Sequence, residues 1–163
     1  MIVYHGSDTL VDAPRIFEAN RPLDFGGGFY VTTSKEQAER WARKVAFRNA
    51  SPDWYINIYE FDLESAIKSC KVIRFQTADE AWLDFICANR QGKYSGDYDI
   101  VMGPVADDRV YRVVVEYENG DMDKERAIKA LRAEVLCNQI LFHSDKALRF
   151  LKHTHTEVKH ERA

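Results

Sequence analysis

Asp24-Phe25-Gly26-Gly27-Gly28-Phe29-Tyr30-Val31-Thr32-Thr33-Ser34 is the stretch whose reading decides the fold. Three successive glycines release the backbone, and the aromatic and β-branched residues after them predict a strand over 29–33. Ser34 then stands where an N-cap belongs, with Gln37 three residues on to complete a capping box. Ala38, Trp41, Ala42 and Val45 recur at helical spacing, so a helix is predicted from Lys35 to Asn49. The glycines do not open a helix, because Thr32-Thr33 continues a strand. A Rossmann fingerprint is therefore rejected, and a Walker A loop would need a Gly-Lys-Ser/Thr that is not there. Two readings of the segment stay open. It is a glycine hairpin with core aromatics, or a flat aromatic platform beside open backbone donors, suited to stacking a heteroaromatic ring.

Working outward, residues 2–4 read as a short strand running into His5-Gly6-Ser7, and 8–28 as a long Asp-, Pro- and Gly-containing loop. Beyond the helix, Trp54 to Leu63 and Lys71 to Phe75 read as strands. Thr77 with Glu80 forms a second capping box, before a helix whose apolar face holds Ala81, Trp82, Phe85 and Ile86. Asp99 to Val105 is a buried-type strand, while Arg109 to Tyr117 suits strand or helix. Asp121 to Leu136 is predicted helical and Gln139 to Phe142 a strand. Ser144 caps a last helix through Leu151, and residues 152–163 form a polar tail expected to fray. Strands and helices mix without regular βαβ alternation, so the fold class is α+β.

The chain has 163 residues, which suits one domain, taken as 1–151. Hydrophobic residues make up 45% and charged residues 30%, with eight Gly and four Pro, which excludes fibrous, disordered and membrane-spanning classes. Lys and Arg total 23 against 26 Asp and Glu, a net charge of −3 that argues against coating nucleic acid or anionic membrane by bulk charge. No signal-peptide pattern is visible at Met1–Ser7. Cys70, Cys87 and Cys137 form no CxxC pair and read as inert thiols, so the expected compartment is the cytoplasm. Four of the five His lie at 143, 153, 155 and 160, but nothing supplies a regular third ligand, and no metal site is assigned.

Three segments carry candidate chemistry. Tyr4-His5-Gly6-Ser7 places an imidazole beside a backbone that a ligand can approach. The glycine–aromatic stretch is the second. The third is Asn138-Gln139-Ile140-Leu141-Phe142-His143-Ser144, where a side-chain amide opening a short buried strand can bond a sugar hydroxyl as donor or acceptor. The first also reads as a satisfied structural His, the second as a glycine hairpin with core aromatics, and the third as strand-edge polarity.

Together, a His ending the first strand, a Gly-Phe-Tyr-x-Thr-Thr strand before a helix, and a late strand opening with Gln resemble the ADP-ribosyltransferase superfamily. The closer resemblance is to its bacterial branch of uncharacterised domains with DFGxGFY-type motifs, some of them toxin-like transferases. Residues 80–86, Asn89-Arg90 and 98–108 also resemble that branch. The resemblance implies split antiparallel sheets with an NAD cleft, and NAD as the substrate. It assigns His5, Tyr30 and Gln139 as the catalytic set and His5, Gly6, Ser7, Phe25, Gly28, Tyr30 and Thr32 as the residues around NAD. His5 would bond a ribose hydroxyl, the Gly6 backbone would hold the nicotinamide amide, and Tyr30 would stack on the nicotinamide ring. It further implies a protein or nucleic-acid acceptor and a small antitoxin or inhibitor protein, with no membrane partner.

Gln139 stands where that clade usually keeps a catalytic Glu. A carboxylate stabilises the oxocarbenium charge that develops as nicotinamide leaves and acts as general base, and an amide does neither. Glu134, Asp145, Asp107 and Asp108 are candidate replacements, and a catalytically silent NAD-cleft module is the alternative. Asn89-Arg90 and Asp107-Asp108 either line the cleft or serve their helices as ends and caps. The helix from Lys35 carries five cations against Glu36 and Glu39, either as a solvated face or to meet pyrophosphate or a nucleic-acid acceptor.

Overall fold

The runs read as strands pair into one sheet. A computed structural model describes residues 1–18, 23–94, 96–105, 108–132 and 138–160, with side chains of 108 and 109 excepted. Its strands are β1 (Ile2–Ser7), β2 (Phe29–Thr32), β3 (Asp53–Phe61), β4 (Val72–Arg74), β5 (Ile100–Pro104), β6 (Asn138–Phe142) and β7 (Leu151–His160). The helices are α1 (Lys35–Arg48), α2 (Leu63–Ser69), α3 (Glu80–Arg90), α4 (Asp108–Glu118), α5 (Lys124–Arg132) and α6 (Asp145–Leu148). The sheet order is β4-β5-β6-β2-β1-β3-β7. Among the described strands only β4 and β5 run parallel, with α3 in the crossover that a parallel pair requires. The α+β class stands.

The resemblance implies split antiparallel sheets, whereas the described strands form one continuous mixed sheet with a narrow middle. β1 meets β3 through six register pairs and β2 meets β6 through four, but β1 and β2 share a single pair, Tyr4 with Thr32. Period-2 alternation puts Tyr4, Gly6, Tyr30, Thr32, Gln139 and Leu141 on one face. On that face Ala38 of α1 packs against Tyr4, Ile56 and Ile58. A separate cluster joins α3, α4 and α5 to Val101, Leu141 and the Tyr30 ring. The opposite face is one cluster across the whole sheet, running from Val3 and Tyr59 through Phe29 to Ile140 and Phe142, closed by Ala66 of α2 and Ala147 of α6. The loop after β1 is pinned there, with the Val11 N–H donating to Asn57 Oδ1 at 2.9 Å and the Tyr59 hydroxyl donating to the Val11 carbonyl at 2.5 Å.

Several boundaries differ from the sequence reading for identifiable reasons. Ser34 does cap α1, accepting from the Gln37 N–H at 3.2 Å, but the Gln37 side chain turns to Thr32 and completes no box. Asp79, not Thr77, caps α3 by accepting from the Trp82 N–H at 3.0 Å. The ambiguous 109–117 run is helical, because Val110, Val114 and Tyr117 fall at i, i+4 and i+7 on the buried side. The short helix α2 lies in sequence too polar and brief to carry periodicity. The predicted helix through Leu151 ends at Leu148, and the polar tail is a correction of substance. Leu151–His160 forms β7, an edge strand paired along the whole of β3. Its polarity is that of an edge, with Thr154 Oγ1 donating to the Ile58 carbonyl at 3.0 Å and Thr156 Oγ1 to Asn57 Oδ1 at 2.9 Å.

Cys70 is half-buried and Cys87 buried, and burial pushes both thiols up, Cys87 to about 11, so both are poor nucleophiles at neutral pH. Cys137 lies outside the described residues. Among the described residues no helix is long and apolar enough to cross a membrane.

Candidate functional site at the seam between β1 and β2

The predicted residues converge on the narrow middle of the sheet. Tyr4, Thr32 and Gln139 lie in one row across β1, β2 and β6. Gly6 and Tyr30 lie one step further along their strands, past the point where β1–β2 pairing stops. His5, between Tyr4 and Gly6, projects from the opposite face beside Phe29 and bridges that gap from behind, so it does not share a face with Tyr30 and Gln139 as the resemblance implies. It is half-buried, and its ring Nδ1 lies 2.7 Å from the Tyr30 carbonyl oxygen. A carbonyl only accepts, so Nδ1 carries the proton, and in the neutral ring Nε2 is left as an acceptor. Phe29 flanks the imidazole with ring centroids 4.4 Å apart. Burial lowers the His5 pKa from 6.5, with the Tyr30 hydrogen bond opposing, so the ring is neutral at neutral pH.

That shift fixes a sign. A folded-state pKa below the unfolded value of 6.5 means the unfolded chain protonates first. The His5 contribution to stability is complete above pH 6.5 and declines as pH falls through it towards the folded-state value. Urea unfolding followed from pH 7.5 downward is expected to show this loss, at up to about 1.4 kcal/mol per pH unit. His5→Gln should remove that part of the slope, and an unchanged slope would contradict the burial of the neutral ring.

The glycine turn is held by side chains on three successive carbonyls. Tyr98 Oη donates to Phe25 O at 2.8 Å, Tyr30 Oη to Gly26 O at 2.6 Å, and His143 Nδ1 lies 2.6 Å from Gly27 O. The Phe25 N–H also donates to Tyr30 Oη at 3.2 Å. Burial raises the Tyr30 phenol above its ordinary range, so it stays protonated as this donor. The Tyr30 ring is thereby a fixed wall packed against the α3–α5 cluster. Gly28 has φ +144°, and a Cβ there would strike the Phe142 carbonyl, so this glycine lets the turn close on β6.

Gln139 is 9% exposed, and its Nε2 finds no hydrogen-bond partner among the described residues. Its neighbour Thr32 is already committed: the hydroxyl lies 2.9 Å from Asn138 O and 3.0 Å from Gln37 Oε1, and accepts from the Ser34 N–H at 3.1 Å. Burying an amide donor unpaired costs about 1–3 kcal/mol, which makes Gln139 Nε2 a group waiting for an acceptor.

Several of the predicted residues are committed to the fold itself. Phe25 is fully buried, and its ring belongs to the core and is not available for stacking. Gly6 is tight because α1 rests on it: a Cβ would collide with the Ala38 carbonyl and stand 2.9 Å from Ala42 N. Ser7 is buried, and its Oγ accepts from the Thr9 N–H at 3.2 Å in the turn leaving β1. Asp145 is exposed at the start of α6, off the end of β6 away from Gln139, which lies about 10 Å from Phe142 at ~3.3 Å per residue. Glu134 and Asp107 lie outside the described residues, as does the Asp108 side chain.

Two carboxylates not singled out from the sequence flank Arg90, and one of them, Asp24, stands near Tyr30. Arg90, at the end of α3, lies between Asp24 Oδ1 at 4.0 Å and Glu118 Oε2 at 3.8 Å, with its guanidinium 4.4 Å from the Tyr111 ring centre. Burial holds the Asp24 carboxyl above its ordinary value, Arg90 pulls it down and Glu118 adds to the rise. The Asp24 charge in turn acts on the Tyr30 phenol. Asn89 bonds back to the Phe85 carbonyl at 3.0 Å, so Asn89-Arg90 serves α3 and an internal ion cluster. Nothing in the local sequence links 24, 90 and 118, because only the packing of α3 and α4 brings them together.

A mixed α+β domain with an orphaned amide, a neutral imidazole and a fixed aromatic ring around a sheet seam is thus defined. By its sequence the chain belongs to the family described as protein of unknown function (DUF3990), whose model matches residues 1–153. No curated protein and no solved structure matches it.

Proposed function

We propose that this protein is an NAD-dependent ADP-ribosyltransferase that uses the seam between β1 and β2 as its cleft. The observation that carries the reading is the buried, unpartnered Gln139 Nε2, in one row with Thr32 and Tyr4 and one step from Tyr30. A ribose hydroxyl oxygen would complete it. The fixed Tyr30 ring on the same face suits the nicotinamide, while His5, which alternates to the other face beside Phe29, acts on the seam by holding the Tyr30 carbonyl rather than by bonding a ribose hydroxyl. In the reaction the bond between ribose C1′ and the nicotinamide nitrogen breaks, and nicotinamide leaves neutral with the electron pair. An acceptor nucleophile bonds to C1′ and gives up its proton to solvent. Gln139 orients the sugar but cannot take that proton.

The amide at 139 supports a second reading, a module that binds NAD without turning it over. Labelled NAD incubated with the protein and total cell lysate separates the two. Transfer of label with release of nicotinamide is expected under the first reading, and calorimetric binding of NAD without release under the second. Tyr30→Ala should abolish binding in both cases, whereas Gln139→Ala should reduce transfer by more than binding. A chain that neither binds NAD nor labels any acceptor would sink both.

A further inference from the structure

The outward flank of α1 carries Arg40, Trp41, Arg43, Lys44, Phe47 and Arg48, all exposed. Two large aromatic rings stand in solvent there, Trp41 at 45% and Phe47 at 89% exposure. The orientation of the flank follows from its two edges. On one side Gln37 reaches Thr32 of β2, and on the other the Arg43 guanidinium lies 4.9 Å from the Trp54 ring of β3. Trp41 and Arg48 fall at i+4 and i+11 from Gln37, so they border the β2 side, the rim of the cleft. The Arg48 guanidinium lies 5.8 Å from the Trp41 ring centre.

We infer that this face of α1 is a docking surface for single-stranded nucleic acid. The charge is local and of the right sign: the flank holds Arg40, Arg43, Lys44 and Arg48 against Glu36 and Glu39, while Lys35 turns away to Glu157 of β7 at 2.5 Å and the whole chain is at −3. Arg40 and Arg43 pair with Glu36 and Glu39 at 2.9 and 2.8 Å in exposed i,i+4 contacts, which phosphates compete with easily. An acidic protein would satisfy the cations but leave the rings unused, and a second copy would bring another basic helix against this one. Unpaired bases use both elements, phosphates on the cations and base faces on Trp41 and Phe47. A duplex keeps its base faces stacked inside. The surface borders the proposed cleft but does not depend on turnover of NAD.

The test uses the whole chain and fluorescein-labelled oligothymidylate and oligouridylate of about twenty nucleotides, in ~50 mM salt without NAD. Saturable anisotropy change is expected, weakening with salt in proportion to the phosphates neutralised. Phe47→Ala and Trp41→Ala should each weaken binding by about 5- to 150-fold, the range of one lost base stack. Arg48→Glu should weaken it and flatten the salt dependence. Lys68→Glu, on exposed α2 on the other face of the sheet, should leave it unchanged. Phe47 is so exposed that its variant tests binding without risk to the fold. No binding below about 100 μM overturns the inference. So does equal affinity for the Phe47→Ala and Arg48→Glu variants, or equal affinity for a duplex of the same length. Self-association that is lost in Phe47→Ala, with no oligonucleotide bound, overturns it in favour of a second copy. Because NAD is absent, a chain that binds oligonucleotide but leaves NAD intact refutes only the transferase reading.

Discussion

Gln139→Glu is expected to raise nicotinamide release from NAD by about 10²-fold or more, the lower end of what a positioned general base contributes. The substitution is nearly isosteric and replaces the orphaned Nε2 with a carboxylate oxygen, so it introduces the missing chemistry at the same point. A carboxylate there can stabilise the positive charge developing on the ribose and take the proton of the incoming nucleophile. The site is 9% exposed, so burial will raise the pKa of the new acid. The gain should therefore grow with pH, rising through a value above the ordinary carboxylate range, and a pH–rate profile measures it. A rate that stays at the parental level with NAD still bound would assign the cleft to recognition alone.

Gly6→Ala is expected to cost at least ~3 kcal/mol or to prevent folding. The added Cβ would overlap the Ala38 carbonyl oxygen and press on Ala42 N, both backbone atoms of α1 that no rotamer change can move. Alanine has the better backbone propensity by roughly 0.5–1 kcal/mol, but overpacking costs ~1–3 kcal/mol even where side chains can give way. Here α1 must lift from β1 and β3, losing the contact of Ala38 with Tyr4, Ile56 and Ile58. Denaturant unfolding of the variant measures the loss. A stability within ~0.5 kcal/mol of the parent would show that α1 does not sit as described.

Local chemistry made the strands and the first helix legible. Phe29–Thr32 and Gln139–Phe142 are apolar runs between polar ends, and Ser34 announces α1 by an interaction one turn long. The row across the seam is legible only through motif resemblance, since it joins residues 28 positions apart, Tyr4 and Thr32, and 107 positions apart, Thr32 and Gln139. Phe25 and Gly28 show the opposite case: aromatic and glycine side by side read as a ligand platform, yet one is core and the other permits a close backbone approach. β7 escaped notice because an edge strand is half solvated, so Lys152, Glu157 and Lys159 look like a tail until Asn57 and Ile58 are there to receive its threonines. Asp24, Arg90 and Glu118 form a cluster that no local pattern encodes.

The two faces of the sheet treat its narrow middle differently. One apolar cluster crosses it from Val3 to Phe142, while on the face with Tyr30 and Gln139 the packing of α1 and that of α3 to α5 belong to separate clusters. The molecule is therefore bound along one side like a book, with its spine under His5 and its covers formed by two sets of helices. Any spreading of the covers would have to bend the Tyr4–Thr32 pair against the shared cluster on the other face.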